Sequence, residues 1–390
     1  MESHHPHKFW NTQPVVQSGE KPTFTGIIDN DRHVNANFAS HKPLPLPSGF
    51  EWSVIDTSDP VQRKELFEFL RDNYATHAEN DFRYAYPEEF LEWAFHSPGY
   101  IPEWIVSVRF GPKKKIVGFI AGTPITIHIN DEIHKIAAVD FLSVHHRLRG
   151  RNLAPVLIKE IIRRLAVINV FEAIYTAAEG IAQPYTLATY YHRMINIEKL
   201  VEINFTQIDR GETLESMKQK YYVPKINLPG FRKMEEKDVP EVTVKLNEYQ
   251  KQFIVGTVFT EEEVRYMLLP KKGILESFVV EDETTHEITA FFSLLLLPNS
   301  VLNNTKYKEF LGADFYYYFV KPSELLNVAS AVIYAAAELG VDVITCMDIA
   351  ENGKIISQLN FVQGDATQDH YIFNYAIDQF PPEKNGVSLL

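Results

Sequence analysis

Residues 141–162, FLSVHHRLRGRNLAPVLIKEII, run from an apolar strand end through a basic, glycine-containing loop into a helix, and this stretch restricts the fold more than any other. Phe141 to Val144 read as the end of a strand. Leu153, Leu157 and Ile161 recur every four residues, with Lys159, Glu160, Arg163 and Arg164 as the polar face, which is a helix pattern. Pro155 falls in the first turn, where no backbone N–H is needed. A helix start leaves unpaired N–H groups at the positive end of its dipole, and Arg147, Arg149 and Arg151 add charge around Gly150. The loop is therefore a candidate anion site, and a glycine at close approach suits a pyrophosphate better than a single carboxylate. A solvated basic turn is the plain alternative. The order strand, R-x-x-G-x-x-L-A, helix points toward coenzyme A.

The rest of the chain makes that loop conspicuous. A net charge of −13 over 390 residues argues against a general nucleic-acid binder, and a basic patch on an acidic body can focus an anionic ligand. Cys346 is the single cysteine, so no internal disulfide points to an oxidising compartment, and a cytoplasmic location is expected. No transmembrane segment is expected, since the longest apolar run, FFSLLLL at 291–297, is too short to span a bilayer. No metal is expected either: His4, His5 and His7 read as a tail without partner ligands at metal spacing.

Residues 1–50 lack periodicity, and Pro43, Pro45 and Pro47 mark an extended arm whose Phe9 and Trp10 would dock on the body. Residues 60–74 and 88–95 read as helices. The two halves then repeat each other at an offset of roughly 172 residues. YPEEFLEWAF from Tyr86 matches FTEEEVRYML from Phe259, and the strand pair around Val108 and Ile116 to Ala121 matches the pair around Val280 and Ile288 to Ser293. The helix ending near Ile168 and the strand to Ala177 match the helix ending at Leu339 and the strand Val341 to Met347. The expected organisation is an α/β chain of two tandem halves, residues 51–205 and 236–390, with a linker at 206–235. Only the first half carries a basic glycine loop, so the first half is expected to hold the coenzyme A ligand and the second, mainly, its co-substrate.

Taken together, FLSVHHRLRGRNLAPVLIKEIIRR, FWNTQPV at 9–15, FRYAYPEEFLEWAF at 82–95, YTAAEGIAQPYTLATYYHR at 175–193, LNNTKYK at 302–308 and the apolar ending GVSLL closely resemble the N-myristoyltransferases. The resemblance spans essentially the whole chain. It implies two GNAT-like acyltransferase halves related by pseudo-twofold symmetry in one saddle-shaped sheet, and transfer of myristate from myristoyl-CoA to the N-terminal glycine of peptides and nascent proteins. The acceptor class is M-G-x-x-x-[ST] after methionine removal. This chain begins Met-Glu and is not expected to modify itself.

By the same resemblance, the coenzyme A thioester lies against Lys8, Phe9, Trp10, Phe141, Leu142, Ser143, Val144, Arg149, Gly150, Arg151, Asn152, Leu153, Ala154 and Pro155. The amides of Phe141 and Leu142 form the oxyanion hole, worth roughly 3 to 4 kcal/mol in such sites. The peptide groove takes Tyr74, Phe82, Tyr84, Tyr86, Asp140, Thr176, Tyr190, His192, Phe205, Asn299 and Asp365. Phe82 in isolation reads as core; its alternation with Tyr84 and Tyr86 would place three rings on one face. Ser143 reads as packing, and His145 and His146 as loop residues. The α-carboxylate of Leu390 is implied as the general base. An ordinary carboxylate and a terminal amine differ by enough that full proton transfer is uphill by roughly 6 kcal/mol, so that carboxylate must be desolvated. Four residues depart from the family pattern: Asp140 where asparagine is usual, Asn152 in the loop, Asp314 where an aromatic is usual, and Gln368 in GDATQDHYIFNY. They leave open a non-catalytic acyl-CoA or lipopeptide binder, and pocket depth leaves open a transferase for a shorter acyl chain.

Overall fold

A computed structural model of the chain describes residues 8–29, 42–74, 82–178 and 180–390; His4, His5 and His7 lie outside them. The local signals in the sequence set most element boundaries. Asp59 caps Val61 and Pro60 opens the helix Pro60–Asn73, which buries Leu66, Phe69 and Leu70. Pro87 precedes the helix Glu88–Phe95, whose acidic first turn complements the helix dipole and whose Phe90, Leu91, Trp93 and Phe95 are buried. Its counterpart Glu261–Met267 starts at a reciprocal cap between Thr260 and Glu263.

Among the described residues, one sheet of 14 strands runs through the molecule. From one edge the first half contributes Phe50–Val54, Ile105–Phe110, Lys115–Ile129, Glu132–Val144 and Ala173–Ala177. From the other edge the second half contributes Phe231–Lys233, Leu275–Glu281, Ile288–Val301, Glu309–Phe319 and Val343–Met347. The order is a palindrome, and in each half the fourth and fifth of these strands are parallel while the others pair antiparallel.

The halves are not side by side but interlocked. Thr186–Met194, from the first half, pairs with the second half's Val343–Met347, and Val362–Phe373 pairs in return with Ala173–Ala177. The two exchanged strands pair with each other at the centre. Short segments cross as well: Phe82–Tyr84 lies on Asn299–Val301, and Val255–Thr257 on Ile127–Ile129. A cavity at the centre of this sheet is therefore walled by both halves.

The helix Leu153–Val167 corrects one expectation. Leu157, Ile161 and Leu165 are buried as the periodicity requires, but Glu160, Arg163 and Arg164 are buried too. Glu160, 0% exposed, accepts hydrogen bonds from Arg163 (2.7 and 3.0 Å), Arg164 (2.8 Å) and the Leu44 N–H (3.0 Å), while Arg164 also donates to the Glu103 carbonyl. Lys159 stays exposed, but the rest of this face is not solvated because the N-terminal arm crosses it, and although burial opposes them these bonds hold the Glu160 carboxyl below the usual range.

Candidate active site

The strand Glu132–Val144 is broken where it matters. Phe119 pairs with Ser143 and Ala121 with Asp140, so Ile120 stands opposite both Phe141 and Leu142, which is a β-bulge. Phe141 has φ 56°, in the left-handed region that non-glycine residues rarely enter. The Phe141 N–H donates to Asp140 Oδ1 at 3.0 Å. The bulge thus turns the Phe141 and Leu142 amides away from the regular ladder, and one of them rests on the preceding side chain.

An apolar cavity of about 1480 Å³ opens from this bulge. Phe9, Trp10, Leu142, Ala154, Pro155, Ile158, Ile162 and Tyr175 line it, so the helix Leu153–Val167 uses one side for the core and another for the cavity. Trp10 stacks on Tyr175 at 5.4 Å, and Lys159 Nζ lies 5.9 Å above the Phe9 ring, which is how the arm docks. Lys8 is exposed beside them. At the mouth, Gly150 (φ 73°) and Asn152 (φ 61°) turn the loop into a helix start that has no side-chain cap, leaving its amides for an anion. Arg151 is exposed and takes part in no salt bridge among the described residues. Arg149 is committed differently: its guanidinium donates to the carbonyls of Asn73 (2.7 Å) and Val144 (3.4 Å), tying the loop to the end of Pro60–Asn73. Val144 and Leu153 are half-buried behind the loop, and Ser143 is buried, as packing requires. His145 and His146 stack on each other at 4.3 Å in the loop, and the His146 N–H donates to Asn73 Oδ1.

A second cavity of about 1290 Å³ lies on the other side of the bulge. Tyr74, Tyr84, Tyr86, Asp140, Thr176 and Tyr190 enter it from the first half, and Asp314, Tyr316, Thr345, Cys346, Gln368 and Leu390 from the second. No lysine, arginine or histidine lines it among the described residues. Tyr84 and Tyr86 stack at 5.4 Å. Burial pushes Tyr84 up to about 12, and Asp140 and Asp314 each up to about 7. The two cavities meet at Tyr74, Asp140, Thr176, Ala177 and Ala178, which line both.

Five of the groove residues named from sequence, Phe82, His192, Phe205, Asn299 and Asp365, stand outside that lining. Phe82 and Phe205 pack with Phe310 in a hydrophobic cluster, at 5.3 and 5.4 Å. Asn299 is buried and donates to the Leu297 carbonyl. His192 bonds through Nδ1 to Thr345 Oγ1 at 3.0 Å and sits under the irregular segment 364–366, where Asp365 is exposed and its charge reaches the imidazole. A Cβ on Gly364 would come within 2.6 Å of His192 Nε2, so that approach needs glycine.

Two residues gain roles that sequence reasoning missed. Gln368 accepts from the Tyr190 hydroxyl and donates to Thr176 Oγ1, both at 2.9 Å, and so joins two groove residues. Tyr317 holds the C-terminal tail: its hydroxyl accepts the Ser388 N–H (3.2 Å) and donates to the Ser388 carbonyl (2.9 Å). Val387 is fully buried next to it, and Leu390 lines the second cavity. A run of three tyrosines in an apolar strand reads as core, and nothing local marks Tyr317 as a tether.

The chain matches the family models "Myristoyl-CoA:protein N-myristoyltransferase, N-terminal domain" over residues 28–188 and "C-terminal domain" over 202–388. It is 36% identical to Arabidopsis thaliana glycylpeptide N-tetradecanoyltransferase 1, over 98% of this chain and 89% of that one, and 38% identical to the Candida albicans enzyme, over 95% and 84%. The structure of Saccharomyces cerevisiae N-myristoyltransferase with bound myristoyl-CoA superposes with a TM-score of 0.93 at 33% identity, covering 98% of this chain and 95% of that one. With two matched domains in tandem and relatives aligned almost end to end, this chain belongs to the N-myristoyltransferase family.

Proposed function

We propose that this protein transfers myristate from myristoyl-CoA to the α-amine of an N-terminal glycine, forming an amide and releasing coenzyme A. The single observation that carries the reading is the meeting of two unlike cavities at one bulge. One is apolar and begins at a basic, uncapped helix start; the other holds Asp140, Asp314 and the last residue, Leu390, with no basic side chain among the described residues. An apolar chain with an anionic head fits the first, and a cationic amine fits the second.

The donor lies against Phe9, Trp10, Leu142, Ala154 and Pro155, with its phosphates at Gly150, Arg151 and Asn152. Each buried methylene contributes about 0.8 kcal/mol, which gives the cavity its preference among chain lengths. The acceptor enters past Tyr74, Tyr84, Tyr86, Thr176 and Tyr190, with His192 and Asp365 toward the rim. As the amine attacks the thioester carbon, the Phe141 and Leu142 amides take the developing oxyanion. The Leu390 α-carboxylate holds the incoming ammonium and acts as a general base, positioned by the Tyr317 clasp on Ser388. Acceptors of this kind are nascent chains that have lost methionine, so the reaction is placed in the cytoplasm. The buried free thiol of Cys346 is in keeping with that. No described helix is long and apolar enough to cross a membrane.

The test is single-turnover transfer from radiolabelled myristoyl-CoA to a GxxxS octapeptide, beside its N-acetylated control and shorter acyl donors. Transfer to the free amine alone, with the fourteen-carbon donor preferred, is expected. Tight donor binding without transfer to any peptide would move the chain to the binding-protein alternative.

A further inference from the structure

An ammonium that becomes an amide nitrogen loses two protons, one before it attacks and one from the tetrahedral adduct. The Leu390 carboxylate accounts for one acceptor. Asp140 occupies the place where a second is needed. It lines the donor cavity, the acceptor cavity and a further cavity of about 770 Å³ behind Leu389 and Leu390, and it is the one residue common to all three. Its Oδ1 accepts the Phe141 N–H and its carboxylate also accepts from the Tyr74 hydroxyl, so it is held at the bulge where the thioester carbon must lie.

We propose, on the transferase reading above, that Asp140 is a second general base, taking the proton that leaves the glycine ammonium before attack. The C–N bond then forms and the C–S bond breaks. The adduct's remaining extra proton passes to the Leu390 carboxylate. The coenzyme A thiolate is reprotonated from one of these acids, and the other proton goes to solvent, so one proton is released per amide formed.

Two features favour this order. Burial has raised Asp140 to about 7, close to the ~8 of a terminal amine, so the first transfer is uphill by only about tenfold. The adduct nitrogen is far more acidic, and an ordinary carboxylate suffices for it. The second feature is the bond to Phe141. A carboxyl that has gained a proton is a weaker acceptor than a carboxylate. Proton uptake by Asp140 therefore loosens its hold on the Phe141 N–H at the moment an oxyanion needs that donor. Base and oxyanion hole are coupled through one hydrogen bond.

The titratable groups facing Asp140 are Tyr74, Tyr84, Tyr86, Tyr190, Tyr316, Asp314 and Cys346 across the acceptor cavity, Tyr317 and Glu263 across the cavity behind the tail, and the C-terminal residue Leu390. The tyrosines and Cys346 are raised by burial and stay neutral through the relevant range. Asp314 is raised to a value like that of Asp140, so its own variant is the control.

The experiment is the pH dependence of single-turnover transfer, at saturating myristoyl-CoA and GxxxS peptide, for the wild type, Asp140→Asn, Asp314→Asn and Tyr74→Phe. In the wild type the rate should rise through about 7 and level off. In Asp140→Asn the limb should move to the amine's own ~8, with the rate about 10- to 100-fold lower at pH 7 and the gap narrowing above pH 9. Asp314→Asn should keep the limb. Tyr74→Phe, which removes a bond that lowers Asp140, should move the limb upward, and it decides the matter if Asp140→Asn does not fold. An unmoved limb in Asp140→Asn, or in Tyr74→Phe when that variant decides, overturns the proposal. A wild type that transfers to no glycine peptide overturns the transferase reading instead.

Discussion

Each half of the molecule carries the same irregularity at the same place, and each has put it to a different use. In the first half Ile120 faces Phe141 and Leu142; in the second, Ser293 faces Tyr316 and Tyr317. The second bulge satisfies itself: the Tyr317 N–H donates to Ser293 Oγ, and the Ser293 hydroxyl donates to the Tyr317 carbonyl, at 2.9 and 2.7 Å. Its side chain then clasps the tail. The first bulge has no such hydroxyl, and its Phe141 amide rests on the side chain of the residue before it. A bulge supplies displaced donors in either case; whether they are spent on structure or left for chemistry depends on the partner opposite. The helices that follow differ as well. Leu325–Glu338 is buried through Val328, Ala329, Val332, Ile333 and Ala336, whereas Leu153–Val167 buries an ion-pair cluster and leaves its first turn open to a ligand.

On the proposed mechanism the second half holds one carboxylate rather than a second donor, an assignment that is breakable at the tail. Amidating Leu390, or adding one residue after it, is expected to lower single-turnover transfer by roughly 10²- to 10³-fold while leaving myristoyl-CoA binding, measured by calorimetry, nearly intact. Undiminished transfer would mean that the second half contributes something else.

The helix contrast is tested by Glu160→Ala. Two buried guanidinium groups would lose their carboxylate, at a cost of about 3 to 5 kcal/mol in urea unfolding, and the arm would loosen at Leu44. A loss below about 1 kcal/mol would place the cluster in the class of weak surface pairs.

Tyr317→Phe removes the clasp on Ser388 and a bond to Thr257 without changing the ring. About 1 to 2 kcal/mol of stability should go with it, and transfer should fall roughly tenfold as Leu390 loses its position. An unchanged transfer rate would show that burial of Val387 alone holds the tail.

The smallest effect concerns Asp314, whose carboxyl makes no hydrogen bond or ion pair among the described residues. Its carboxyl binds a proton on folding between its ordinary 3.8 and about 7, so its contribution to stability falls as pH rises across that window and is flat above it. Asp314→Asn should therefore raise the unfolding free energy at pH 8, by roughly 1 to 2 kcal/mol after allowing for water in the cavity, and have no such effect near pH 4. A gain at pH 4 as large as that at pH 8 would remove the titration from the account.

Much of this was legible in the sequence, for reasons that can be named. The period of Leu153, Leu157 and Ile161, the cap before Val61, the proline before Glu88 and the recurrence of the first half's pattern in the second are local or repetitive signals, and the elements follow them. The basic loop and the docking of Phe9 and Trp10 were equally within reach, and Tyr74, Tyr84, Tyr86, Thr176 and Tyr190, named together from sequence, line one cavity. Glu160 was not. A charged triplet on a helix reads as solvated, and only the crossing arm, more than a hundred residues away in sequence, buries it. Phe82 alternates with Tyr84 and Tyr86, yet its ring turns to Phe205 and Phe310 because the strand is only three residues long and lies on the far half.

The sequence by itself determined the kinds of element, their order and duplication, and the chemistry of the loop, because backbone propensity, periodicity and charge act over a few residues. Tertiary structure alone decided the exchange of central strands, the Tyr317 clasp, the joining of Tyr190 to Thr176 by Gln368, and the placing of Asp140 where three cavities meet. Those depend on which distant groups are desolvated together, and desolvation is a property of the packed molecule.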